Sequence, residues 1–461
     1  MSSIALALAE FVANTEYDGL PGDVIKEAKR RIADVVAIGL SGATTKVGDN
    51  VTRYSLAKGG SGRATIWGTG QKTTPAYAAL ANGSMTFHLE LDDVHRTSHT
   101  HPGVCVIPAG IALCEEKGLS GRDLLTAVVA GYDVAIRIGM GVSPSIYVDR
   151  VLLAPGTLGV FGAATVAAKL QGLTPSQIAG VLGTASYLAP LAPFESFSKG
   201  APAKEIIMGW CGLLGIDAVD LAGYGFPGPM TAIEGEFGYC KAVSERYDLS
   251  RITARLGEVF EIMKTGVKPY ACCRQHHSAI DAVLEIRERE ALAPEKIKAI
   301  RCRTFKVASR GSDKAPTTIG AAKYSAPYTI AVTFLFGKAW REQYTLDLIK
   351  DPAVSGLAAK VEVLADADLE KLYDEKWPAI VEVETLDGRT LQARRDIPKG
   401  EPEYPVSDAE LQQKFMSLAG DAVSKEKAEE VWRMIFDLEN LKDLSVLTSA
   451  LRFSRTRATG G

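Results

Sequence analysis

The sequence predicts a two-domain protein that is mainly α-helical with a smaller α+β domain. Three observations carry that expectation. The chain has 461 residues, beyond the roughly 250–300 at which a single hydrophobic core stops growing. Apolar residues recur at helical spacing through residues 1–255. Strand-like alternation is confined to 256–404, after which helical periodicity returns. The expected division is an all-helical domain over 1–255, completed by C-terminal helices within 405–461 that pack back on it, and an α+β domain over 256–404.

The elements follow in order. Helices are expected over 4–15 and 21–40. In the second, Val24, Ala28, Ile32, Val35 and Val36 share a face, with Lys26, Lys29, Arg30 and Arg31 on the others. Gly-Gly-Ser-Gly-Arg (59–63) leads into a short strand, Ala64 to Trp67. The following Gly-Thr-Gly-Gln-Lys-Thr-Thr has Gln71 where a phosphate loop needs its second glycine, so it is not one. A small-residue helix spans 75–89, Pro102-Gly103 opens another over 104–117, and Ser120 caps a buried helix over 121–141. Gly156, Gly159 and Gly162 are spaced for close helix packing, not for a dinucleotide turn. Helices continue over 174–188 and 202–223. A helix over about 276–290 and a strand over 298–306 follow. The clearest hairpin is 379–396, turning on Asp387-Gly388. Helices at about 407–419 and 424–438 close the chain.

Composition narrows the function. Apolar residues make up 46% and charged ones 23%, with a net charge of −3 and no Lys/Arg-rich run, which gives no footprint for nucleic acid. Seven unevenly spaced cysteines form no disulfide framework and fit a reducing compartment. The N-terminus lacks a basic leader, and the most apolar later stretch, 124–142, is broken by Asp133 and Arg137. A cytoplasmic enzyme with no membrane span is expected.

The chemistry concentrates at two poles. Of six histidines, His88, His95, His99 and His101 lie within 86–103 beside Glu90, Asp92 and Asp93; the others are the pair His276-His277. Imidazoles among carboxylates suit either acid–base work or a metal, the latter through His95, His99, His101 and Asp93. The second pole, Lys268 to Asp281, packs a lysine, an arginine, two thiols and two imidazoles into one short run. Such a patch could hold a carboxylate and move a proton.

Glu-Leu-Asp-Asp (90–93), His101-Pro-Gly, Gly-Val-Phe-Gly-Ala-Ala (159–164), Ser198-Lys199, Gly225-Phe-Pro-Gly-Pro with Ala232-Ile-Glu-Gly, the Lys268–Asp281 segment and Ser325-Ala-Pro-Tyr328 together resemble the MmgE/PrpD family over almost the whole chain. That family includes 2-methylcitrate dehydratase, cis-aconitate decarboxylase and iminodisuccinate epimerase. The resemblance implies a helical domain joined to an α+β domain, usually as a homodimer. It implies a site between the domains that needs no metal or other cofactor and acts on small di- or tricarboxylates. The family motifs fall on Asp92, Asp93 and His101, then Lys199, then Lys268 and His277, then Tyr328. Three positions depart from the pattern. No histidine stands in Leu152-Leu153-Ala154-Pro155-Gly156 or soon after Lys199, and Cys273 occupies the place of a histidine in the animal decarboxylase.

The chemistry common to such enzymes builds negative charge beside a carboxylate, so fixed positive charge must meet it. Lys199, Lys268 and Arg274 are expected to grip substrate carboxylates, with His99 and Cys273 beside them. His101 is expected as the base, oriented by Asp92 or Asp93, and His277 or Tyr328 as the group on the opposite face. A cofactor-free lyase of the dehydratase type is the expected activity, on a 2-methylcitrate- or aconitate-like acid. Epimerisation of an amino- or imino-dicarboxylate, decarboxylation and a carboxylate-binding relative without activity are the alternatives.

Overall fold

The computed structural model describes residues 3–453; the last part of the expected C-terminal segment, 454–461, lies outside the described residues. The first half is helical: α1 (Ile4–Asn14), α2 (Gly22–Gly42), α3 (Lys46–Gly59), α4 (Pro75–His88), α5 (Gly103–Lys117), α6 (Gly121–Val142), α7 (Ala154–Leu170), α8 (Pro175–Leu188) and α9 (Ile207–Gly223). Local chemistry starts several of them. Ser3 and Thr45 accept backbone N–H bonds as N-caps of α1 and α3, and Ser120 with Asp123 forms a reciprocal capping box at α6. The α6 helix is long and apolar enough to cross a membrane, but its apolar window is 94% buried within the protein. It is a core helix.

The second half carries α10 (His277–Glu290), β1 (Ile297–Thr304), α11 (Ala326–Phe336), α12 (Pro352–Ala359), β2 (Val361–Ala365), β3 (Ala379–Thr385) and β4 (Thr390–Arg395). The four strands form one sheet in the order β2-β1-β3-β4, with β1 and β2 parallel and the other neighbours antiparallel. The hairpin β3–β4 turns at Asp387-Gly388, where Gly388 has φ +87°, a value that favours glycine. A separate core fills the space between this sheet, α10 and α11.

Two helices near the C-terminus, α13 (Asp408–Ala419) and α14 (Lys425–Phe436), pack on α2. This contact covers most of the basic face of α2. Lys29, Arg30 and Arg31 are buried. Lys29 donates to the Phe436 carbonyl at 2.8 Å, Arg30 to Asp408 and to the Val406 carbonyl, and Arg31 to Glu27 and to the Thr265 carbonyl. Every one of these charges is paired, as burial requires. Lys414 of α13 reaches furthest. Its ammonium pairs with Asp34 of α2 at 2.7 Å and donates to the carbonyls of Leu91 and Lys268. One buried lysine thus ties together the two poles of the sequence.

Helices α4 and α9 cross with backbones nearly touching. A Cβ on Gly209 would lie 2.1 Å from the Leu80 carbonyl oxygen. Gly209→Val is therefore expected to lower stability by about 1–3 kcal/mol through overpacking. Gly223→Ala, at the open end of the same helix with nothing within 4 Å, is the control. Thermal melts of the two variants check this: equal melting temperatures would contradict it.

Candidate active site

Helix α4 stops at His88, and the chain turns sharply at Glu90, whose φ of +57° is left-handed. Non-glycine residues adopt that conformation at a cost and only where surrounding structure enforces it. The loop then runs beneath the second half of the protein. Its two residues Val94–His95 pair antiparallel with Thr265–Gly266. That short clasp places Lys268 directly against the first pole. His99 carries a second left-handed backbone, φ +56°. Both strained residues face one cavity between the two halves, lined also by His101, Lys268, Cys273 and Arg274.

The cavity is built on a chain of charges. Asp92 accepts a hydrogen bond from Nδ1 of His101 at 2.5 Å. That bond fixes the tautomer and leaves Nε2 as the free, basic nitrogen. Lys268, fully buried, lies 3.2 Å from Glu90 Oε2 and 3.6 Å from Asp92 Oδ1. Burial alone would raise the Asp92 carboxyl, but Lys268 and His101 hold it below its ordinary value. Glu90 is likewise held low against its burial, by Lys204 and Lys268. Burial works against the charged form of Lys268, yet Asp92 and Glu90 together raise it. Lys204 closes the chain by donating to Glu90, its ammonium 4.9 Å from the centre of the Phe197 ring.

The residues expected from sequence divide clearly. His101, Asp92, Lys268, Arg274, His99 and Cys273 are brought together. Four others are not, and each has a physical reason. Lys199 is exposed at the end of a short helical turn; the lysine that turns inward is Lys204, five positions on. Asp93 points away from His101, because its carboxylate accepts the Gly103 N–H at 3.1 Å and the Tyr132 hydroxyl at 2.8 Å. His277 has both ring nitrogens engaged, Nδ1 accepting from Arg274 at 2.7 Å and Nε2 directed at the Cys272 carbonyl. Tyr328 donates its hydroxyl to the Gln343 carbonyl at 2.7 Å. Asp93 and His277 brace residues beside the site, Gly103 and Arg274.

Arg274 is also more occupied than expected. Its guanidinium donates to Glu401 through Nε (3.0 Å) and Nη2 (2.7 Å), and to the Lys399 carbonyl and His277 through Nη1. The proposed metal set does not converge: His95 bonds to Ser98 and His99 to Tyr373, each through a ring nitrogen, while Asp93 is engaged as above. Among the described residues no three His, Cys, Asp or Glu side chains gather closely enough to hold a metal ion. Sequence reasoning missed Lys204, Tyr147, Gln275 and Trp377 as neighbours of the site. Only Lys204 left a signal, as the second lysine in the run 199–204.

The buried imidazoles carry a pH signature. Burial pushes both His95 and His99 down to about 3, from an ordinary value near 6.5. Between those values the unfolded chain binds a proton that the folded one refuses, so stability is lost as pH falls through that window. Replacing His95 with glutamine removes one such proton. The fall in unfolding free energy from pH 6 to 4 should then become shallower by on the order of 1.4 kcal/mol per pH unit. Chemical denaturation at a series of pH values checks this, and parallel curves for the two proteins would contradict it.

Comparison with known proteins agrees with this architecture. The MmgE/PrpD N-terminal domain matches residues 6–252 and the MmgE/PrpD C-terminal domain matches residues 270–440. The chain is 24% identical over 473 residues to a cis-aconitate decarboxylase of Aspergillus terreus, covering 98% of this chain and 96% of the relative. It is 27% identical to the cis-aconitate decarboxylase of Homo sapiens (98% and 95% covered) and 25% identical to that of Mus musculus (98% and 94%). With two domain matches in the family's order spanning most of its length, the chain belongs to the MmgE/PrpD family.

Proposed function

We propose that this protein is a lyase that removes a proton next to a carboxylate of a small di- or tricarboxylic acid. The observation that carries the reading is the cavity faced at once by the His101–Asp92 pair and by Lys268. The names of the relatives support an unsaturated or hydroxylated acid of the aconitate kind. In this reading a substrate carboxylate sits on Lys268, and Nε2 of His101 takes the proton from the adjacent carbon. The electron pair left behind spreads onto the carboxylate, where the ammonium meets it. Asp92 stabilises the imidazolium that forms. Collapse of the electron pair then expels a β-hydroxyl, which takes the same proton back from His101 and leaves as water.

One base serves both steps in this scheme. That favours elimination over epimerisation, since the polar atoms of His277 and Tyr328 are committed elsewhere. Decarboxylation is the second reading, favoured by the names of the relatives. There the same imidazolium would give a proton to carbon as carbon dioxide departs.

The test is proton exchange. Incubation in deuterated water with citrate, 2-methylcitrate, aconitate and simple dicarboxylates should place deuterium on the carbon next to a carboxylate of at least one acid. Measuring carbon dioxide alongside separates the two readings. Failure of every acid to exchange, together with failure of every acid to raise the melting temperature, would overturn the proposal.

A further inference from the structure

We propose that His99, Gln275 and Trp377 form a subsite for a substrate hydroxyl, so that the cavity prefers a hydroxylated acid over the same acid without that group. This names the substrate class within the reading above and rests on it.

Three polar atoms without partners carry the inference. His99 Nδ1, Gln275 Oε1 and Trp377 Nε1 are buried, and among the described residues none of them has a hydrogen-bond partner. The three residues, 5%, 6% and 3% exposed, line the cavity that also holds His101 and Lys268. Folded proteins leave few buried polar atoms unpaired, because burial without a partner is costly. Three on one cavity point to a polar group that arrives with the ligand. The ring faces here are already spent: His99 stacks on Tyr147 at 5.5 Å with an interplanar angle of 13°. What His99 and Trp377 offer a ligand is the nitrogen at each ring edge.

The pattern of donors and acceptors identifies the group. Indole Nε1 is a donor only. Burial pushes the His99 imidazole down to about 3, so the ring is neutral and one nitrogen carries the hydrogen. Tyr373 decides which. Its ring stacks on Phe305 at 4.6 Å, and its hydroxyl lies 2.7 Å from His99 Nε2 with no other partner among the described residues. The hydroxyl hydrogen is satisfied by Nε2, which leaves Nδ1 as an N–H donor. Gln275 supplies the acceptor. Against the larger effect of burial its amide lowers the Tyr147 hydroxyl, as a donated N–H does, and Oε1 stays open. Two donors and one acceptor complement an alcohol, which has one hydrogen to give and two lone pairs to offer. A carboxylate has no hydrogen for Gln275 Oε1. In the elimination above, the departing oxygen keeps the electron pair of the broken C–O bond, and that pair takes the His101 proton. The water formed can stay on the same three atoms.

The test compares citrate with tricarballylate and malate with succinate, pairs that differ by one hydroxyl, using titration calorimetry at pH 7.5 and fixed ionic strength. In at least one pair the hydroxy acid is expected to bind at least tenfold more tightly, because its analogue leaves the buried polar atoms unpaired. Gln275→Met keeps the length and removes the acceptor, so it should cut that ratio at least fivefold by weakening the hydroxy acid alone. Trp377→Phe keeps a ring, removes the N–H and should act in the same way. Ratios near one in both pairs would overturn the inference and mean that water alone fills the three positions. Binding of none of the four acids would overturn it too, as would a native ratio in both folded variants. If neither variant folds, the ratios for the native protein decide alone. Ratios near one with deuterium exchange intact remove this inference and leave the proposed function standing. Binding of none of the four by a protein that neither exchanges nor is stabilised by any acid removes both.

Discussion

Replacing His101 with asparagine is expected to lower turnover roughly a hundred- to ten-thousand-fold, the range contributed by a positioned general base. The effect should fall on kcat, because Lys268 still holds the substrate carboxylate and keeps its own pairs with Glu90 and Asp92. The fold should survive: His101 is partly exposed to the cavity, and its one polar bond within the protein is to Asp92. Asp92→Asn tests the same unit from the other side. An amide at 92 can offer N–H to Nδ1, which moves the ring proton to Nε2 and leaves no basic nitrogen facing the substrate. A deep loss of kcat is expected there too, with the acidic limb of the pH–rate profile altered. A variant at either position that keeps native kcat would remove the base from the mechanism.

The second large effect is on stability. Lys268→Met is expected to cost about 3–5 kcal/mol, the penalty for leaving a buried charge without its partner. Two carboxylates lose a buried counter-ion together, Glu90 at 3.2 Å and Asp92 at 3.6 Å, leaving Glu90 with Lys204 alone and Asp92 with His101. The sign of the pH dependence follows from the shifts. Glu90 and Asp92 are depressed in the folded protein, so their contribution is present above their ordinary values and lost as pH falls through the folded ones. In the variant that depression is weakened, most of all at Asp92, where Lys268 is the largest opposing charge. Its deficit against the native protein should therefore be greatest near neutral pH and shrink on acidification. Adding Glu90→Gln to Lys268→Met should recover part of the loss. Melting curves at pH 7 and pH 3 read both effects, and a constant deficit at the two pH values would contradict them.

The helices of the first half and the β3–β4 hairpin were legible because their signals are local: apolar spacing, caps such as Ser120, and the Asp387-Gly388 turn. The meeting of His101 with Lys268 was legible because so few titratable groups near neutrality exist in the chain, and they cluster. What escaped is set by distant partners. Nothing near Arg30 or Arg31 in sequence shows that Asp408 and the Thr265 carbonyl will bury them. Lys199 and Lys204 differ only in which way a short turn points each side chain. His277 and Tyr328 carry the right functional groups for catalysis, and only the positions of Arg274 and the Gln343 carbonyl show that those groups are taken. Glu90 was visible as a carboxylate, but its left-handed backbone and its place between two lysines were not.

A crystal structure with a dicarboxylate bound tests the central claim most directly. One carboxylate should lie within hydrogen-bonding distance of Lys268 Nζ, with the adjacent carbon about 3–3.5 Å from Nε2 of His101, the separation of a near-attack geometry. An acid seated instead in the apolar groove beside Tyr54 and Trp210, or one whose reacting carbon faces away from His101, would contradict it.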